Sequence, residues 1–265
     1  MRLIQVLAIM LTELSVGTLL LTSLLPPRQI RLSFFTFNSL LSALSAAIAL
    51  LLMKVGVGSA WSDVRFLGLT VIGATMAFGL FRLEKEDMGR IAMILSGLLG
   101  LMLGLLPLSG QILALRGIDT PAKFLLDASF LAGTALLGTA TVGMILGHWY
   151  LVMRRLSFEY LEQFAKILFG AVALRALLLC GTMMTMKSFD PKLWDLFSTQ
   201  VLEVSGGGVF FFFLRIVLGI AAPLVLAYMI LRTVKEQANQ AATGLLYITE
   251  VCVVFGELLA AYLLI

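Results

Sequence analysis

Charge is scarce in this chain of 265 residues: Asp, Glu, Lys and Arg together make up 13% of it, about half the share a soluble domain carries. A water-soluble fold of this length needs a charged exterior, so the scarcity excludes one. Histidine is scarcer still. His148 is the single histidine, and one imidazole cannot supply both axial ligands of a bis-histidine haem, which is excluded. Cysteine occurs only at Cys180 and Cys252, with no CxxC pair and no Cys/His cluster. That leaves no motif for a zinc site or a redox dithiol, so no metal is expected and both thiols read as packing residues. A Gly-rich phosphate loop, an HExxH helix and a Ser/His/Asp arrangement are also missing. Lys and Arg exceed Asp and Glu by 19 to 15, but no basic cluster interleaved with aromatics occurs, and nucleic acid is excluded as a partner.

What fills the chain instead is apolar: 60% of its residues are hydrophobic. They come in runs near the roughly 20 residues that cross a bilayer as a helix. The runs show no period-two alternation, and lipid demands that backbone hydrogen bonds close within each segment, so helices are expected rather than a barrel. The reading is an all-α, polytopic transmembrane bundle of about eight helices, a single integral membrane domain over residues 1–265. The spans fall near 3–25, 34–56, 64–82, 91–115, 124–152, 162–183, 208–231 and 242–265. Pro26-Pro27 ends the first. Glu13 interrupts the first apolar run and no small-residue cleavage site precedes the prolines, so this run reads as a retained span rather than a signal peptide. Charge marks every break, as in the Arg82 to Arg90 stretch, whose Arg82 to Asp87 part reads as a solvated turn. No internal repeat is clear from the sequence.

The longest piece outside the spans runs from Lys187 to Gly208. Asp190-Pro191 is a helix-start signal. Leu193, Trp194, Leu196, Phe197, Val201 and Leu202 then share a face opposite Lys192, Asp195 and Gln200. A short amphipathic helix lying at the membrane surface is expected near 191–204. Trp61 and Trp149 also sit near span ends, as interface anchors do.

Lys and Arg divide seven against ten between the two sides, which favours both termini outside; the expected location is a bacterial cytoplasmic membrane. Small residues at four-residue spacing, Ser96/Gly100/Gly104 and Ser39/Ala43/Ala47, and the series Gly133, Gly138, Gly143 and Gly147, mark faces where helices approach closely.

The informative residues are charges placed in hydrocarbon: Glu13 in the first span, Arg175 in the sixth, Arg215 in the seventh, Glu250 and Glu257 in the eighth. Each costs about 2.5–3.5 kcal/mol at the bilayer centre, so they are expected to face the interior and find partners. Counting depth along each span puts Arg175, Arg215 and Glu257 on one level, with Glu257 paired to either arginine. Glu250 lies seven residues from Glu257, on the same helix face, and the same count sets Glu13 near the depth of Glu250. The cluster reads as a proton or substrate path or as a register-fixing ion pair.

A second constellation lies near the opposite surface: His148, Tyr150 and Arg154 at the end of span five, Thr243 and Tyr247 at the start of span eight. Such groups suit a quinone headgroup, donating to its carbonyl oxygens, or an aromatic belt with a polar cap. No covalently bound cofactor is expected.

Three functions stay open. The first is a haem-free membrane subunit of a larger respiratory or electron-transfer complex with a quinone-proximal site; in helix count alone the chain is similar to the eight-helix anchors of molybdopterin-type reductases, which would imply cofactor-bearing partner subunits. The second is a proton-coupled small-molecule permease, with Pro107 and Pro223 breaking helices four and seven at membrane depth. The third is a structural or assembly membrane protein without a site. Whether it is an enzyme is left open.

Overall fold

The computed structural model describes residues 2–57, 67–107, 122–153, 157–189, 191–202 and 207–264. Among these every regular element is a helix. In chain order they are α1 (Arg2–Ser23), α2 (Leu32–Val57), α3 (Leu67–Arg82), α4 (Glu86–Leu105), α5 (Ala122–Val152), α6 (Glu159–Phe189), α7 (Pro191–Leu202), α8 (Gly208–Lys235) and α9 (Asn239–Leu264). Seven are long and apolar enough to cross a membrane, and α3, with 16 residues, is the shorter eighth apolar helix. The protein is thus an all-α bundle built for lipid. Trp61 and Arg154 lie outside the described residues, as does Asp190.

The bundle is apolar outside and carries buried polar side chains within its apolar core. Leu44, Ile48, Leu51 and Val55 form an exposed stripe along α2, while Ser39, Ser42 and Ser45 of the same helix are buried. Lipid solvates leucine as well as any core does, so helix association relies on close packing and interhelical hydrogen bonds. Ser15 and Ser42 show this: each hydroxyl donates to the other residue's carbonyl at 2.9 Å, and the two oxygens lie 2.8 Å apart. Cys180 is exposed on the outer surface rather than packed, and Cys252 is half-buried.

The helices form two closed rings of four. In the first, α1 packs on α2, α2 on α3, α3 on α4, and α4 back on α1; in the second, α5, α6, α8 and α9 repeat the cycle. A hydrogen-bonded turn recurs at the same place in each ring. After α3, the amides of Leu83, Glu84, Lys85 and Gly89 donate to the carbonyls of Gly79, Phe81, Leu80 and Lys85. After α8, the amides of Glu236, Gln237, Ala238 and Ala242 donate to Arg232, Val234, Thr233 and Ala238 with identical spacing. Glu84 and Gln237 take left-handed φ of 58° and 57°, the signature of a Schellman-type helix stop. The structure therefore carries an internal repeat where the sequence offered none clear enough to use.

The rings join through α1, which packs against α5 and α9. At the seam two glycines meet backbone to backbone: a Cβ on Gly17 would strike the Thr134 carbonyl, and one on Gly138 would fall 2.6 Å from Gly17 Cα.

Pro223 acts differently from the expectation of a broken helix, while the stretch that follows Pro107 lies outside the described residues. Residues Gly100–Leu105 and Val217–Ala221 are wound as π-helix, in each case just ahead of Pro107 and Pro223. A proline ring clashes with the carbonyl four residues back and offers no amide to it. The chain relieves this by widening the turn, and α8 continues unbroken to Lys235.

Helix α7 is present where a surface helix was expected, packed against α6 and α8. Its Phe197 ring meets Trp194 at 6.0 Å and Phe212 of α8 at 5.9 Å. Trp149 packs against Phe34 of α2, centroids 5.6 Å apart.

Candidate functional site

Four of the five intramembrane charges converge at the seam. Arg175 of α6 donates from Nη2 to Glu257 Oε2 of α9 at 2.5 Å, and from Nη1 to the Ser129 carbonyl of α5. Glu257 is 3% exposed, Arg175 8%. Glu13 of α1, also 3% exposed, brings its carboxylate to the same place. A Cβ on Gly133 would lie 2.9 Å from Glu13 Oε1 and 3.0 Å from Glu257 Oε2. Only the missing side chain at Gly133 leaves room for both groups.

Glu13 therefore stands level with Glu257 and not, as depth counting suggested, with Glu250. The count assumed a common starting plane for α1 and α9; the Gly17–Gly138 contact fixes the register of α1 instead.

Arg215 of α8 completes the group from the outer side. With Arg175, Glu257, Gly219 and Gly256 it lines a narrow cleft. Its position follows from the local sequence. Pro223 lies four residues after Gly219, inside the π turn, and that turn carries Gly219 against Gly256, where an added Cβ would lie 3.2 Å from the Gly256 Cα. Two carboxylates and two guanidiniums thus balance in charge, contributed by α1 of the first ring and by α6, α8 and α9 of the second.

Glu250 is separate. Seven residues along α9, it stands about 10 Å from the Glu257 level. Thr141 of α5 donates to its Oε1 at 2.8 Å, while its Oε2 is buried with no hydrogen-bond partner among the described residues.

Of the second constellation, His148 and Tyr247 come together: His148 Nδ1 and the Tyr247 hydroxyl are 3.3 Å apart and both residues are exposed. Tyr150 is buried and donates its hydroxyl to the Ser157 carbonyl. Thr243 directs its hydroxyl to the carbonyls of Gly147, at 3.0 Å, and Asn239, at 2.8 Å. These two hold helices in place and do not face outward with His148. Arg154 lies outside the described residues.

Sequence reasoning missed Thr141, Ser129 and the role of Gly133. Gly133 stood in the glycine series of α5, but nothing local told it apart from Gly143, where an added Cβ would meet ordinary side-chain contacts at 3.4 Å or more. Among the described residues no group of three or more His, Cys, Asp or Glu is placed to hold a metal ion.

No protein-family model matches the sequence, and no curated protein shows significant similarity to it.

Proposed function

We propose that this protein moves protons through the membrane, with Glu13 and Glu257 as the proton-carrying groups and Arg175 and Arg215 as their counter-charges. One observation carries the reading: two buried carboxylates share one point at the seam between two four-helix rings. A register-fixing pair needs one acid and one base. A second carboxylate at the same point calls for a second buried guanidinium, Arg215, and each added charge costs roughly several kcal/mol of desolvation. Duplicated membrane folds hold their sites at the interface of the repeats, and Glu13 reaches across that interface. In this reading both termini face outward from a bacterial cytoplasmic membrane.

The test is proton uptake by proteoliposomes holding the protein as purified in mild detergent, driven by a potassium diffusion potential and followed with an enclosed pH dye. Uptake above that of empty vesicles, abolished by Glu13→Gln and by Glu257→Gln in protein that still purifies folded and monodisperse, supports the reading. Uptake no greater than that of empty vesicles overturns it.

The exposed His148–Tyr247 pair favours a second reading, in which the chain is a haem-free subunit of an electron-transfer complex and a quinone headgroup docks at this pair. Mass spectrometry of the natively purified protein tests it. Cofactor-bearing subunits in fixed ratio and extractable quinone are expected; a lone chain without quinone removes this reading and leaves the first.

A further inference from the structure

Tyr247, Glu250 and Glu257 share one line along α9. At 100° per residue, Asn239, Thr243, Tyr247, Glu250 and Glu257 fall within a stripe about 80° wide. Val254 is the apolar member between the last two. The stripe starts at the exposed His148–Tyr247 pair and finishes at the buried seam cluster.

Two atoms on it are buried and lack a hydrogen-bond partner among the described residues, Asn239 Oδ1 and Glu250 Oε2. An unpartnered carboxylate oxygen in hydrocarbon is costly unless the group holds a proton or meets water. Helical side chains lean towards the N-terminal turn, so Glu250 leans towards Tyr247 and the surface, and Thr141 holds its other oxygen at 2.8 Å. The oxygen left free is the one available for exchange.

We infer that His148 and Tyr247 form the proton entrance and that Glu250 is the intermediate station between this surface and the Glu257–Glu13 cluster. The inference rests on the proton-moving function proposed above. A proton taken from water onto the His148 ring passes from Nδ1 to the Tyr247 oxygen as the Tyr247 hydroxyl gives its own proton to a water molecule that hands one on to Glu250 Oε2, so tyrosine and water both end each transfer neutral. A second transfer, carried by water past Val254, delivers the proton to the seam.

Two measurements test it. In proteoliposomes, His148→Ala and Tyr247→Phe are expected to slow proton uptake at least about tenfold, the scale of a positioned acid–base group. Added imidazole is expected to restore the His148→Ala protein but not a Glu250→Gln protein. Wild-type rates in both surface variants, with uptake still blocked by Glu257→Gln, overturn the entrance and leave the proposed function standing. No uptake by the wild type overturns that function, and the second measurement then decides the entrance by itself. Infrared spectroscopy follows the carboxyl band that Glu250→Gln removes. Its hydrogen–deuterium exchange is expected to slow in Tyr247→Phe; unchanged exchange, or no band to remove, overturns the role of Glu250.

Discussion

The carboxylates of Glu13 and Glu257, from opposite rings, meet above Gly133, each within 3.0 Å of where that residue's Cβ would stand. Gly133→Ala is therefore expected to do more than a glycine replacement on an open helix face. Overpacking costs about 1–3 kcal/mol, and here the atoms displaced are charged. A lowered thermal midpoint together with lost proton uptake is expected; Gly170→Ala, whose Cβ would meet nothing within 4 Å, should leave both unchanged.

The pair of Arg175 and Glu257 separates structural from functional need. Arg175→Met leaves Glu257 buried without its guanidinium and should destabilise by about 3–5 kcal/mol, as broken buried pairs do. Adding Glu257→Gln removes the stranded charge and should recover most of the thermal midpoint. Proton uptake is not expected to return with it. Recovery of both would mark the pair as a staple only.

Ser15 and Ser42 bond each other reciprocally. Removing either hydroxyl should lower stability by about 1 kcal/mol, and removing both should cost about twice as much, because each donates to a backbone carbonyl that the other substitution leaves in place. A double-mutant cycle on thermal unfolding in detergent checks this; a double loss no larger than either single loss would contradict the geometry.

Much of the fold was legible because it depends on bulk properties. The apolar runs placed all eight apolar helices, and Asp190-Pro191 with the amphipathic face after it located α7. The seam was not legible. Glu13 and Gly133 are 120 positions apart, and their meeting depends on the register fixed by Gly17 and Gly138, two glycines among 24. The repeat was hidden for a related reason: lipid-facing positions accept any apolar residue, so similarity survives only in fragments. Arg31-Leu32-Ser33-Phe34 recurs as Arg155-Leu156-Ser157-Phe158 at the entry to the second helix of each ring, too short to weigh until the ring contacts gave it meaning. Tyr150 and Thr243 were grouped with His148 by depth alone, which does not reveal direction.

The repeated turn offers a stabilising change. Glu84 and Gln237 hold positive φ, which costs a residue with a Cβ roughly 1–2 kcal/mol. Glu84→Gly and Gln237→Gly should each raise the thermal midpoint, since glycine occupies this conformation freely. A decrease in either would mean that the side chain, rather than the backbone, secures the turn.

The glycine contact between Gly17 and Gly138 has a mechanical meaning as well. Glu13 is one helical turn from it, about 6 Å along α1, whereas the Arg2 end of that helix is about 22 Å away. If the rings tilt about this fulcrum by about 10°, the carboxylate travels roughly 1 Å and the helix end nearly 4 Å, by the same rise per residue. The lever is long at the membrane surface and short at the charges, so such a tilt would move the faces by several times as much as the acidic groups.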